Sequence, residues 1–246
     1  MPLNETIPLI SVVIPTLNEE KYLSLCLKSL KNQTFQNFEV IISDGGSTDK
    51  TKKIASKYGV RIVAHPNITV TLARQSGIDI ARGEIIVGAD ADTIYPQNHL
   101  EKIVKDFKEK NTRVAVGGGG VFEKHPLWLH LGWKIAYALL ALLSSIFKTA
   151  IYIPAFNLSF KKEAFKRIDG YKTYLDFGGD ELDILNRLRK RGEVYFDKNL
   201  ICYPSSRRAK GGFFSIIVKH TLIDYYLNYF LAKIYKKPII KGKPIR

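Results

Sequence analysis

Apolar and polar positions switch between two periods along the first hundred residues, and the switching predicts strands and helices in turn. Leu9-Ile10-Ser11-Val12-Val13-Ile14-Pro15 is a β-branched run closed by proline, the pattern of a central strand covered on both faces. Tyr22, Leu23, Leu25, Cys26, Leu27 and Leu30 then recur at helical spacing. Phe38 to Ile42 returns to strand character, and a helix is expected from about Asp49 to Lys57. A strand over Val60 to Ala64, a helix from about Thr69 to Ala81 and a fourth strand ending at Ala89 follow. Four such alternations predict an α/β fold, a mostly parallel central sheet with helices on both faces.

The pattern is less regular afterwards. Leu100, Ile103, Val104 and Phe107 share one face of a helix expected from about Gln97 to Lys110. Val114-Ala115-Val116 leads into Gly117 to Gly120, read as a flexible or tightly turned stretch between strand-like pieces. Trp128 to Phe147, uncharged after Lys134, is short for crossing a bilayer and suits either a buried core helix or an interfacial one. Ile201-Cys202 is the last strand-like piece. From Phe213 to Lys237, aromatic and aliphatic clusters alternate with lysines, which suits a basic amphipathic helix on a membrane surface, or else a core or dimer contact. The expected organisation is a catalytic domain over residues 1–210 and a basic, aromatic-rich helical segment over 211–246.

The 246 residues, 46% hydrophobic and 25% charged, describe a globular chain with a real core, which argues against disorder. The formal charge of +15 calls for an acidic partner: nucleic acid, an anionic membrane or a phosphorylated substrate. No helix-turn-helix, zinc-finger or RNP-like pattern supports a nucleic-acid-binding module, so no nucleic acid is expected. Cys26 and Cys202 are too few and too far apart for a disulfide framework or a zinc site, and the histidines have no metal-ligand spacing. That cysteine usage suits a reducing, cytoplasmic setting, and because Met1 to Pro8 lack the basic-then-apolar pattern of a signal peptide the catalytic part is expected on the cytoplasmic side.

Candidate chemistry collects where strands end. Glu19 follows the first strand, Asp44 the second, and Asp90 and Asp92 the fourth. Asp-x-Asp after a strand is by itself common turn chemistry. Three acidic strand ends on one edge of a parallel sheet instead suit a cation-assisted phosphate or nucleotide site. No GxGxxG or P-loop pattern is present, which disfavours a dinucleotide enzyme or an ATPase.

Val12-Val13-Ile14-Pro15-Thr16-Leu17-Asn18-Glu19-Glu20, Ser43-Asp44-Gly45-Gly46-Ser47-Thr48-Asp49 and Ala89-Asp90-Ala91-Asp92 together resemble the family 2 inverting glycosyltransferases of the GT-A fold. The resemblance reaches to about residue 208. It implies a nucleotide-sugar donor, UDP- or GDP-linked, held by Thr16, Glu19, Asp44 and Asp90, with Arg74 near the diphosphate. It further implies Asp92 on a Mg²⁺ or Mn²⁺ ion, and Arg207 and Arg208 near diphosphate and acceptor. A bland alternative for Arg74 is a solvated helix arginine. The family opens its later helix with a Glu-Asp pair whose second acid is the candidate base. Here the order is Asp180-Glu181, so position favours Glu181 while chemistry alone allows Asp180. The Gln-x-x-Arg-Trp motif of processive synthases is absent, which implies a non-processive, hexosyltransferase-like enzyme. The expected acceptor is a glycan or a polyprenyl-type lipid, reached from a peripheral position on an anionic cytoplasmic membrane face. The alternative is a nucleotide-sugar-binding protein that lacks transfer activity.

Overall fold

The structure is a computed structural model and describes residues 7–66, 68–122, 127–172, 174–175, 179–207 and 227–237. β1 (Ile10–Thr16), α1 (Leu23–Lys31), β2 (Phe38–Asp44), α2 (Thr51–Lys57), β3 (Arg61–Ala64), α3 (Val70–Asp79) and β4 (Ile85–Gly88) alternate as the hydrophobic pattern predicts. The second part contains β5 (Thr93–Ile94), α4 (His99–Glu109), β6 (Arg113–Gly120), α5 (Leu127–Ile146), β7 (Leu158–Lys161) and α6 (Lys162–Lys166). α7 (Asp180–Leu188), β8 (Glu193–Pro204) and α8 (Asn228–Tyr235) follow.

The strands form one sheet in the order β3-β2-β1-β4-β7-β6-β8-β5. β3, β2, β1 and β4 are parallel. β7 runs antiparallel to both β4 and β6, β8 lies parallel to β6, and β5 is antiparallel to β8. The sheet is thus parallel in its first half and mixed in its second. β1 pairs with β2 on one side and with β4 on the other, so the connections diverge there and leave a crevice beyond the carboxyl ends of the strands.

β1, β4 and the end of β2 are buried on both faces because successive side chains serve different helix layers, whereas edge strand β3 is largely exposed. Ile10, Val12, Ile14, Ile42, Ile85 and Val87 pack with Leu23, Leu27, Leu100 and Ile103 of α1 and α4. Val13, Ile41 and Ile86 point the other way, into a layer with Ile78, Phe165, Ile184 and Leu188.

Two stretches depart from expectation. Gly117 to Gly120 are the fully buried end of β6, with no flexible turn there. A Cβ on Gly118 would meet the carbonyl oxygens of Leu200 and Asp197, so only glycine lets β8 bulge past at that point. β8 itself begins eight residues before Ile201, and its register against β6 shifts between Gly117 and Gly119. The polar run Asp197-Lys198-Asn199 occupies that bulge and hides the strand from a period-two reading. Asn157 closes the irregularity by donating from Nδ2 to the carbonyls of Gly119 and Leu200, both at 2.8 Å.

No described helix is long and apolar enough to cross a membrane. Tyr137 of α5 packs against Gly119, while Leu131, Ile135, Leu139, Leu142 and Ile146 form an outward stripe, each more than half exposed. Tyr229 and Ala232 of α8 are buried against Leu175, Tyr174 and Leu182, and Phe230, Ile234 and Tyr235 face outward. Most of the basic segment read from Phe213 to Lys237 lies outside the described residues.

Candidate active site

The crevice is built from the loops after β1, β2 and β4. In-register pairing places Thr16 beside Asp44. Thr16 Oγ1 donates to Asp44 Oδ2 at 3.1 Å, and Asp44 also accepts from the Gly46 and Ser47 amides at 3.0 and 2.8 Å and from Ser47 Oγ at 2.5 Å. This fully buried carboxylate therefore folds the Gly45-Gly46 loop, in which Gly46 takes φ +101°. Short polar side chains tie the neighbouring loop to it. Asn18, itself at φ +56°, accepts from the Thr48 amide at 2.9 Å, and the Glu19 amide donates to Thr51 Oγ1 at 2.8 Å.

Asp90 and Asp92 serve two different arginines. Arg74 of α3 donates to Asp90 Oδ1 and to Asp180 Oδ2, both at 3.1 Å, and so bridges β4 to the first turn of α7. Burial alone would disfavour its charge, but Asp90 and Asp180 outweigh that and hold the guanidinium firmly protonated. On the other side, Arg207 grips both oxygens of Glu19 at 2.7 Å and places Nε 2.8 Å from Asp92 Oδ2. Tyr22 lies beneath it, with the guanidinium 5.0 Å from the ring centroid. The turn between the two acids is held by the Asp90 amide donating to Tyr95 Oη at 3.1 Å, which in turn donates to the Phe156 carbonyl at 3.0 Å. Buried Cys26 lies behind this edge. Burial pushes its thiol well above the ordinary range, and Asp92, Asp90 and Glu19 add to the effect.

Burial and the neighbouring Glu181 carboxylate push Asp180 well above the usual carboxylate range, with Arg74 acting in the opposite direction. A hydrogen bond from the Glu181 side chain adds to the rise at Asp180. Gly179, immediately before them, takes φ +83° and leaves room for the Tyr229 ring. Asp180 is nearly buried, whereas Glu181 is only partly so.

Thr16, Glu19, Asp44, Arg74, Asp90, Asp92, Asp180, Glu181 and Arg207 thus belong to one connected edge of the sheet, and Arg208 lies outside the described residues. Arg74 is a buried bridge, unlike the solvated arginine of the bland alternative. Tyr22 entered the sequence reading only as an apolar helix position and Tyr95 not at all, because no local motif marks either as part of the site. Among the described residues no three His, Cys, Asp or Glu side chains form a ready-made metal cage. A cavity of about 170 Å³ adjoins Asp92, Tyr22 and Ser205. A larger groove of about 1720 Å³ runs between α5 and β8 and shares only Tyr203 with it.

Residues 11–169 match the family described as Glycosyl transferase family 2. The chain is 36% identical over 115 residues to the glycosyltransferase GlyG of Streptococcus pneumoniae, over 44% of this chain and 38% of that relative. It is 38% identical over 119 residues to a PGL/p-HBAD biosynthesis glycosyltransferase of Mycobacterium bovis, over 45% and 46% of the two chains. It spans less than half the length of either of these relatives. Among solved structures, the mannosyltransferase PcManGT from Pyrobaculum calidifontis, in complex with GDP-Man and Mn2+, superposes with a TM-score of 0.69 at 21% identity. That match covers 97% of this chain and 66% of the other. TarS 1-349 of S. aureus gives 0.61 at 20% identity, over 81% and 61%. At these identities the likeness is one of fold, the GT-A fold that the strand order and the crevice beyond β1 and β4 display. With the family match extending over more than half its length, the chain belongs to glycosyl transferase family 2.

Proposed function

We propose that this chain moves a sugar from a UDP- or GDP-linked donor to an acceptor, with inversion at the anomeric carbon and without processivity. The observation that carries the reading is the convergence of Glu19, Asp44, Asp90 and Asp92 with buried Arg74 and partly buried Arg207 at the switch point of the sheet. Neighbours of the same fold support the donor class: PcManGT is described with GDP-Man, and TarS with UDP-GlcNAc. On this reading Glu19 and Asp44 would hold ribose and base, with Thr16 supporting Asp44 and Asp90 nearer the diphosphate. Residues 1–210 form the catalytic domain on this reading, and 211–246 a basic helical attachment.

The donor set fits a hard divalent cation completed by substrate oxygens. Mg²⁺ and Mn²⁺ sites at nucleotides commonly use one or two carboxylates plus phosphate, so a complete protein cage is not required. Asp92 would hold the ion. When bound, the ion offsets the charge that develops on the departing diphosphate. Arg207 adds guanidinium charge on the same side, and Arg208, next in sequence, is proposed for the same role.

Glu181 is the base. Asp180 is committed to Arg74, whereas the partly exposed Glu181 would accept the proton of an acceptor hydroxyl. The acceptor is a glycan or a polyprenyl-type lipid. The outward apolar stripes of α5 and α8 favour the lipid and a peripheral position on an anionic, cytoplasmic membrane face. A panel of UDP- and GDP-sugars with Mn²⁺ and native membrane extract tests the reading. Transfer from one donor supports it, and tight donor binding with no transfer to any acceptor would favour a binding protein without activity.

A further inference from the structure

Arg207 closes the donor edge onto itself. Its Nη1 and Nη2 hold both oxygens of Glu19, and its Nε lies against Asp92. The three side chains are only 17%, 12% and 9% exposed. The backbone fixes the same arrangement: the Ser205 amide donates to the Asp92 carbonyl at 2.9 Å, and the Arg207 amide donates to Ser205 Oγ at 3.3 Å. The cavity left beside Asp92, about 170 Å³, is below the roughly 300–1,000 Å³ of small-molecule sites. With its guanidinium on both acids, Arg207 occupies the carboxylate positions that an ion at Asp92 would need.

Two carboxylates turned toward one point repel each other and attract cations. In this arrangement the cation is the chain's own guanidinium, and a divalent ion arriving alone at Asp92 would meet that positive charge. A nucleoside diphosphate changes the balance, because phosphate oxygens match the guanidinium fork as well as a carboxylate does and also complete the ion's coordination. Resting on the reading of Asp92 given above, we infer that Arg207 is an internal counter-ion that competes with the divalent ion for Asp92. It yields Asp92 when a nucleoside diphosphate arrives, so ion and nucleotide enter the site together. Linkage then requires each to raise the other's affinity by the same factor.

The test is direct titration of Mn²⁺ into the full chain, read from the paramagnetic resonance of free Mn²⁺. It is run without nucleotide, then with UDP and with GDP, each corrected for nucleotide alone. Wild type should bind Mn²⁺ weakly by itself and at least tenfold more tightly with one of the nucleotides. Arg207→Ala and Arg207→Gln, both checked for native circular dichroism, should bind Mn²⁺ alone about tenfold more tightly than wild type. Adding Asp92→Ala should erase that gain. Unchanged or weaker Mn²⁺ affinity in both folded Arg207 variants, while wild type still takes up Mn²⁺ with nucleotide, overturns the competition and leaves the assignment of Asp92 standing. A gain that survives Asp92→Ala also overturns it. Failure of every form to bind Mn²⁺ under all conditions removes the assignment of Asp92 and this inference with it.

Discussion

Asp90 and Asp92 stand one residue apart and reach in different directions, Asp90 to Arg74 and Asp92 to Arg207. At the scale of single residues this division separates the two halves of the proposed chemistry, because Arg74 connects to Asp180 on α7 and Arg207 connects to Glu19 on the donor side. Glu181→Gln should therefore lower turnover by about 10² to 10⁴ while donor affinity stays near wild type, since a general base acts in the transition state. Steady-state kinetics with separate calorimetry of the nucleotide checks this, and near-normal turnover combined with an inactive Asp180→Asn would reverse the assignment. A second prediction concerns stability. Burial and Asp197 push the Asp106 carboxyl from 3.8 up to about 7. Between those values the folded chain retains a proton that the unfolded chain has released, so stability falls as pH rises from about 4 to about 7. Asp106→Asn should flatten that fall in Tm, and an unchanged slope would count against it. The individual acids were legible from the sequence because each follows a strand. Arg74, Asp180 and Arg207 were named only through the family resemblance, and the pairings were not legible: Arg74 and Asp180 are 106 positions apart, and Arg207 and Glu19 are 188, distances that no local pattern encodes.

At the scale of elements, Gly179 at the start of α7 is tightly constrained. Gly179 needs φ +83°, and a Cβ there would lie 2.4 Å from Tyr229 Cδ2. Gly179→Ala should therefore cost at least about 1 kcal/mol, measured by denaturant unfolding, through backbone strain together with displacement of α8. A neutral substitution would show that α8 does not seat on this turn. The parallel half of the sheet was readable because buried strands appear as apolar runs punctuated by helical spacing. β6 and β8 were only half readable. Four glycines look like a loop but here permit close contact with Tyr137, Phe156 and the bulge of β8, and that requirement comes from tertiary packing. α5 was left between a core and an interfacial reading, and the structure gives it both faces: Tyr137, Leu140 and Ala141 pack inward, while the Leu131 to Ile146 stripe faces out.

At the scale of the whole molecule, the +15 charge and two outward apolar faces point toward an anionic surface. Each lysine near such a surface contributes about 1 kcal/mol, and this attraction weakens with salt while apolar contacts persist. The full chain should float with anionic liposomes and be only partly released by salt, and Ile135→Asp with Leu139→Asp should reduce the bound fraction severalfold. A full chain that stays in the soluble fraction would make these faces subunit contacts and withdraw support from a lipid acceptor. The central claim, that the edge bearing Asp90 and Asp92 is where a nucleotide sugar gives up its sugar, is tested most directly by nucleoside diphosphate release. The measurement uses the donor selected by the panel, with acceptor extract and Mn²⁺, for wild type and for Asp92→Ala. Release by wild type that is abolished by EDTA and by Asp92→Ala, with the variant's Tm close to that of wild type, is the predicted result; full release by Asp92→Ala, or by wild type in excess EDTA, would contradict it.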